Sequence, residues 1–225
     1  MIILRKELRR GTLVMKYLAK SLIILGILLL LLPTVGGLYT KYEQQKMYKT
    51  YLESLSQIED SMQTMNETLA SSEEDVQEEE VIDFVPTEMQ TPNGLEVMGI
   101  VSIPKIDVDL MFVEGVTKQA LKFAVGHMPG TEMPGEVGNC VIAGHRSYTF
   151  GEYFNRLDEV KVGDEILITM GKDKYTYKVY ESFLVEPTEV WVTEPIENKK
   201  IVTLITCHPV VKATHRLIVR GELVE

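Results

Sequence analysis

The chain beyond residue 95 predicts an all-β fold, a sandwich or barrel. Short β-branched and aromatic runs recur through this half of the sequence, and turn clusters rich in Gly, Pro and Asp separate them. Segments with helical periodicity are few. The expected strands are Met98 to Ile103, Val108 to Val113, Asn139 to Ala143, Glu165 to Thr169, Tyr175 to Phe183, Ile201 to Thr206 and Arg216 to Val219. Closing such a sheet on itself removes exposed edges.

The N-terminal third reads differently. Leu18 to Leu32 is interrupted only by Lys20 and Ser21 and continues past Pro33 to Leu38. That is long enough for a bilayer core of roughly 30 Å, so residues 17–38 are expected to be a transmembrane anchor behind a short cytoplasmic segment, residues 1–16. No small-residue cleavage site follows, which favours an anchor over a removed signal peptide. Arg5, Lys6, Arg9, Arg10 and Lys16 precede the span closely. By the positive-inside rule they keep the N-terminus cytoplasmic and send the rest outward across the plasma membrane. Lys41, Lys46 and Lys49 weaken that asymmetry without reversing it.

Residues 39–94 form a linker. Tyr48, Tyr51, Leu55, Ile58, Met62, Met65 and Leu69 alternate in steps of three and four, the seam of an amphipathic helix. About three heptads are short for a coiled coil, so the helix is expected to pack on its own domain or lie at the membrane face. The acidic run Glu73, Glu74, Asp75, Glu78, Glu79, Glu80 and Asp83 reads as a solvated spacer. Pro86, Pro92 and the pair Asn93–Gly94 end it, and the folded domain is expected to occupy residues 95–225. Within that domain Thr117 to Phe123 and Tyr153 to Leu157 read as short helical turns, and Gly171 to Lys174 as a hairpin connection.

The formal net charge of −10 argues against a nucleic-acid partner, which would need basic patches. No phosphate-binding loop, internal repeat or metal-ligand cluster stands out, so no cofactor is expected.

The chemistry concentrates in Ile201 to Gly221, IVTLITCHPVVKATHRLIVRG. Two β-branched runs joined by a loop with Pro209 suit an antiparallel hairpin that closes Cys207 against Arg216. A thiol beside a guanidinium begins a nucleophilic site but lacks a base. His145 in VIAGHR, also at the end of an apolar run, is the best candidate.

TLITC at Thr203 to Cys207, the following HRLIVRG, and the upstream GHMPGT and AGHR resemble the sortases in a stretch from Gly99 to Gly221. Sortases are membrane-anchored cysteine transpeptidases of Gram-positive bacteria built on a closed β-barrel. The resemblance implies that Cys207 is the nucleophile, His145 the acid/base and Arg216 the cation that orients substrate or stabilises the oxyanion. It places Thr206 where it would help position the substrate backbone. An LPxTG-like sorting signal cut between Thr and Gly, on surface proteins that are then passed to a cell-wall precursor amine, is implied as well. The spacing around GHRSYTFGEYFNRL is most similar to class D. Class C sortases are second, since their usual Asp-Pro-aromatic lid is absent where Asp83 precedes Phe84 and the chain stops at Glu225 without a second span.

Other polar residues carry smaller expectations. A Cys140–Cys207 disulfide is rejected because it would consume the nucleophile, and Cys140 reads as core. His127 in VGHMPGT is the rival base but reads as a supporting residue. His215 is expected on the face opposite Arg216, and His208 adjoins the nucleophile in the loop. Trp191 reads either as a cap on the barrel or as a wall of the substrate groove. With thiol and imidazole reference pKa values of about 8.5 and 6.5, the charged pair exists in only roughly one molecule in a hundred, so turnover should be slow. A thiol peptidase on the same barrel, or a silent binding module, are the readings outside this one.

Overall fold

The computed structural model describes residues 2–70, 94–146 and 153–224. A single helix, α1, runs Ile2–Ala70, and the chain divides into two compact units, Met1–Glu43 and Gln44–Glu225. In the first unit Leu22, Ile23, Ile24, Leu25 and Ile27 are exposed. Among the described residues no helix is long and apolar enough to cross a membrane. Side chains 28–35 of the expected span, and the acidic spacer with Asp83 and Phe84, lie outside the described residues.

The second unit is a closed barrel with strands β1 (Val97–Ile103), β2 (Val108–Glu114), β3 (Val125–His127), β4 (Gly138–Ala143), β5 (Glu165–Met170), β6 (Asp173–Val185), β7 (Lys200–His208) and β8 (His215–Leu223). Their order around the barrel is β1-β2-β3-β4-β7-β8-β6-β5. Neighbours run antiparallel except β2 with β3 and β4 with β7, which are parallel. Seven of the eight strands coincide with expected ones, several a few residues longer. The addition is β3, three residues inside the VGHMPGT motif.

Strand alternation sorts the side chains. On β7, Val202 and Leu204 fill the main core with Cys140, Ile142, Phe112, Phe154, Ile166 and Ile168, while Ile205 faces out. On β8, Leu217 and Val219 face in and Ile218 faces out. A register shift between Val179 and Glu181 of β6 changes the phase, so Val179 is interior whereas Phe183 and Val185 join the outer patch.

Two local elements match their chemistry. Helix α2 (Lys118–Phe123) is capped by Thr117, whose hydroxyl accepts from the Ala120 N–H at 3.1 Å. The β5–β6 hairpin turns at Gly171, which has φ +56°, in the left-handed region a side chain disfavours. The expected helical turn at Tyr153 to Leu157 falls later, as a 3₁₀ turn at Leu157–Glu159. Tyr153 instead bridges back to Arg146 as an isolated β pair.

The amphipathic seam packs on the helix's own domain. Met47 and Tyr51 are buried against Leu95, Ile100, Met111, Val113 and Phe123, with Tyr48 and Leu55 at the margin. The Tyr51 hydroxyl also accepts from the Gly171 N–H at 2.9 Å, tying the helix to the β5–β6 turn. The lower seam, Ile58, Met62, Met65 and Leu69, has side chains outside the described residues.

Candidate active site

The β7–β8 ladder runs to its connecting loop with Cys207 directly opposite Arg216, followed by His208 opposite His215. On the other side of β7, the parallel ladder with β4 ends at Ala143 opposite Ile205. The chain holds that register a little further. Gly144 N–H donates to Ile205 O at 3.0 Å, and the Thr206 hydroxyl donates to Gly144 O at 2.8 Å. Two residues beyond the last β4 rung, His145 is thereby drawn up alongside Cys207. Histidine, cysteine and arginine come from three neighbouring chain segments at one end of the barrel.

Each side chain has a distinct setting. Cys207 is partly exposed and reduced. His145 is exposed, with the Tyr153 ring edge-on at 6.5 Å between centroids and its backbone carbonyl accepting from Phe154 N–H at 3.1 Å. Among the described residues no carboxylate bonds to it. Arg216 uses one terminal nitrogen on its own loop, donating to Ala213 O at 3.3 Å and to His215 O at 3.1 Å. Its remaining donors have no protein partner among the described residues and are left for an acceptor oxygen.

Thr206 differs from its expected role. It is 2% exposed on the inward face, and its hydroxyl is already committed to Gly144 O. So placed, it ties the strand of the nucleophile to the segment of the histidine and is withdrawn from substrate. Cys140 is buried inside the barrel, where burial, with nearby Glu132 and Glu136 adding to it, pushes its thiol pKa well up and keeps it neutral.

His127 supports the fold. Its ring is buried between Glu114 Oε2 at 2.7 Å and the Thr131 hydroxyl and Glu132 carbonyl, both at 3.1 Å. These partners join β2 to the β3–β4 connection. His215 is exposed and bonds to the Thr214 hydroxyl at 2.9 Å.

Trp191 lies in a 3₁₀ turn, Val190–Thr193, that roofs the outer face of β6 and β8. Its ring stacks on Phe183 at 5.7 Å and 3°, with the Arg220 guanidinium over both rings. Arg220 and Asn139 hold the turn by donating to Val192 O at 3.0 Å each, and Asn139 donates to Glu194 O as well. The same patch includes Val185, Ile205, Ile218 and Val192. Val185 pairs with Arg216, so the apolar patch continues the face on which Cys207 and Arg216 stand. Asn139 and Arg220 were not singled out in the sequence. Each is a buried polar residue in a strand, but their shared partner lies more than twenty-five residues away and only register reveals it.

Cys207 stands on a strand flanked by the segments that carry His145 and Arg216, an arrangement that suits acyl transfer through a cysteine nucleophile. Residues 101–224 match the sortase domain, and the chain belongs to the sortase family of cysteine transpeptidases. Sortase D of Bacillus subtilis (strain 168) is 30% identical over 136 residues, 59% of this chain and 67% of that protein. Sortase A of Listeria monocytogenes serovar 1/2a is 32% identical over 127 residues, and the chain spans little more than half of it, 56%. Among solved structures, a Clostridium perfringens Sortase D5 transpeptidase aligns with TM-score 0.53 and 35% identity, covering 58% of this chain and 80% of that one. Sortase C1 from Streptococcus agalactiae aligns with TM-score 0.55 and 34% identity, covering 57% and 68%.

Proposed function

We propose that this protein is a membrane-anchored sortase that cleaves an LPxTG-like sorting signal between Thr and Gly and transfers the surface protein to a cell-wall precursor amine. The observation that carries this reading is the alignment of His145, Cys207 and Arg216 across adjacent segments. The Cys207 thiolate attacks the threonyl carbonyl carbon, forming the C–S bond. The carbonyl oxygen takes up the negative charge and is held by donors of Arg216. Collapse breaks the C–N bond as His145 protonates the leaving glycyl amine. The acceptor amine then attacks the thioester, gives up its proton to His145, and expels Cys207. The apolar patch of Val185, Val192, Ile205 and Ile218 beside the rung suits an apolar side chain of the signal.

Anchoring rests on the basic flank and on the exposed Leu22, Ile23, Ile24, Leu25 and Ile27. It puts the N-terminus in the cytoplasm and the barrel outside. The motif spacing favours class D over the pilin-polymerising class C.

Mass spectrometry of the full-length protein in detergent, incubated with a sorting-signal peptide library, tests the reading. The expected product is a thioacyl adduct on Cys207 ending in Thr, discharged faster by added amine than by water. An adduct discharged only to water would make the protein a thiol peptidase. Absence of any adduct would refute the reading.

A further inference from the structure

Beside the rung described above lies a second polar cluster. The Arg146 side chain is 5% exposed, and its guanidinium bonds at 2.6 Å to Nδ1 of His208 and at 2.8 Å to Oδ2 of Asp158. Arg146 directly follows His145, and His208 directly follows Cys207. One buried, planar cation therefore spans the two chain positions next to the acid/base and the nucleophile. Its anchor, Asp158, sits in the 3₁₀ turn Leu157–Glu159 and is about half exposed.

A guanidinium has donors and no acceptor, so the Nδ1 atom of His208 must accept. The ring proton is therefore on Nε2 and the imidazole is neutral. In this state His208 has no free lone pair and does not serve as a base. Its other contribution is mechanical, because a bond this short between a buried fork and a ring at the end of β7 fixes where β7 ends relative to the His145 segment. Arg146 is further located by its β pairing with Tyr153, whose ring is edge-on to His145.

We infer that Arg146 is a positioning residue for the sortase reaction, locking the His145 segment to the end of the Cys207 strand through neutral His208, with Asp158 setting the orientation of the fork. The inference rests on the roles of Cys207 and His145 given above. The lock acts on the thiol–imidazole separation, so its loss should lower kcat and leave KM nearly unchanged. Misplacement of reacting groups by about an ångström costs on the order of a hundredfold in rate.

The test compares Arg146→Met, His208→Ala, His208→Asn and the double variant Arg146→Met/His208→Ala in the full-length protein, using a fluorogenic sorting-signal peptide. Asparagine can place its side-chain oxygen near the position of Nδ1, so it retains an acceptor that alanine lacks. The expected result is a kcat loss of about a hundredfold for Arg146→Met and for His208→Ala at near-constant KM, no further loss in the double variant, and recovery to within a few-fold in His208→Asn. A role confined to stability would not restore kcat through one acceptor atom. Losses that multiply in the double variant, an asparagine variant as slow as alanine, or kcat at the wild-type level in Arg146→Met would each overturn the inference. If Arg146→Met does not fold, His208→Ala against His208→Asn decides alone. A Cys207→Ala control that still cleaves would instead overturn the underlying assignment.

Discussion

Cys207 and Arg216 are cross-strand partners at the loop end of the β7–β8 ladder, and Arg216 spends only one terminal nitrogen on the nearby carbonyls of Ala213 and His215. The remaining donors form a planar fork beside the thiol. Lysine would keep the positive charge but could not hold the loop and an oxyanion in the same geometry. Arg216→Lys should reduce kcat/KM by about a hundred- to a thousandfold, the scale of losing an oxyanion donor. Steady-state cleavage of a sorting-signal peptide measures this, and a near wild-type value would reduce Arg216 to a source of positive field.

The two histidines on family-like motifs are separated by their surroundings. His145 is exposed beside Cys207, whereas His127 is buried among Glu114, Thr131 and Glu132. His145→Ala should approach the severity of Cys207→Ala, and the double variant should be little worse, because groups that act as a unit are not additive. His127→Ala should retain most activity but melt at lower temperature, since it removes a buried ring and its bonds to the partly exposed Glu114, Thr131 and Glu132. A dead, fully folded His127→Ala alongside an active His145→Ala would reverse the assignment.

The strands that were legible in the sequence are those with two or more β-branched or aromatic residues between turn signals, such as Val108 to Val113 with Val108, Phe112 and Val113. Strand β3 escaped because it has three residues, one of them Gly126, where an added Cβ would sit 2.1 Å from Gly115 O. That glycine serves a close backbone approach and weakens the β signal that would have revealed the strand. In the site, Cys207, His145 and Arg216 could be singled out because each stands at one end of an apolar run inside a motif, Cys207 and His145 where the run closes and Arg216 where it begins. The inward turn of Thr206 follows from strand alternation once Cys207 is placed outside, so its removal from the substrate side was in principle readable. The Arg146–His208 contact was not, since the two residues are sixty-two apart and only the parallel β4–β7 register joins them.

The two thiols should differ in reactivity. Burial raises the Cys140 pKa, while Cys207 is partly exposed. Intact-mass analysis after iodoacetamide treatment at about pH 8 should show one adduct on the native protein, at Cys207, and two in denaturant. The same shift has a linkage consequence. Folded Cys140 keeps its proton where the unfolded thiol, with a pKa of about 8.5, has lost it. Stability should therefore fall as pH rises above that point, and Cys140→Ala should flatten this alkaline limb. Two adducts on the native protein would contradict the buried placement.

Gly144 connects the end of β4 to His145, and its surroundings leave no room for a side chain. A Cβ there would lie 2.6 Å from the ring of Phe154 and 3.0 Å from Val125 Cγ1. Phe154 is fully buried in the main core and cannot swing aside cheaply, so the backbone at residue 144 must shift and carry His145 with it. Thr206→Val addresses the same joint from the other side: valine fills the threonine volume but removes the hydroxyl that donates to Gly144 O. The buried carbonyl then loses a partner, at a cost of about 1–3 kcal/mol. Both variants should lower kcat far more than they raise KM, by about tenfold for Thr206→Val and up to about a hundredfold for Gly144→Ala, because the substrate face is untouched while the base is displaced from the thiol. Kinetics paired with thermal melting and the rate of Cys207 alkylation checks this, since alkylation reports that the thiol is still accessible and the melt that the barrel is intact. A folded Gly144→Ala enzyme with unchanged kcat would show that His145 is not held in place through this joint.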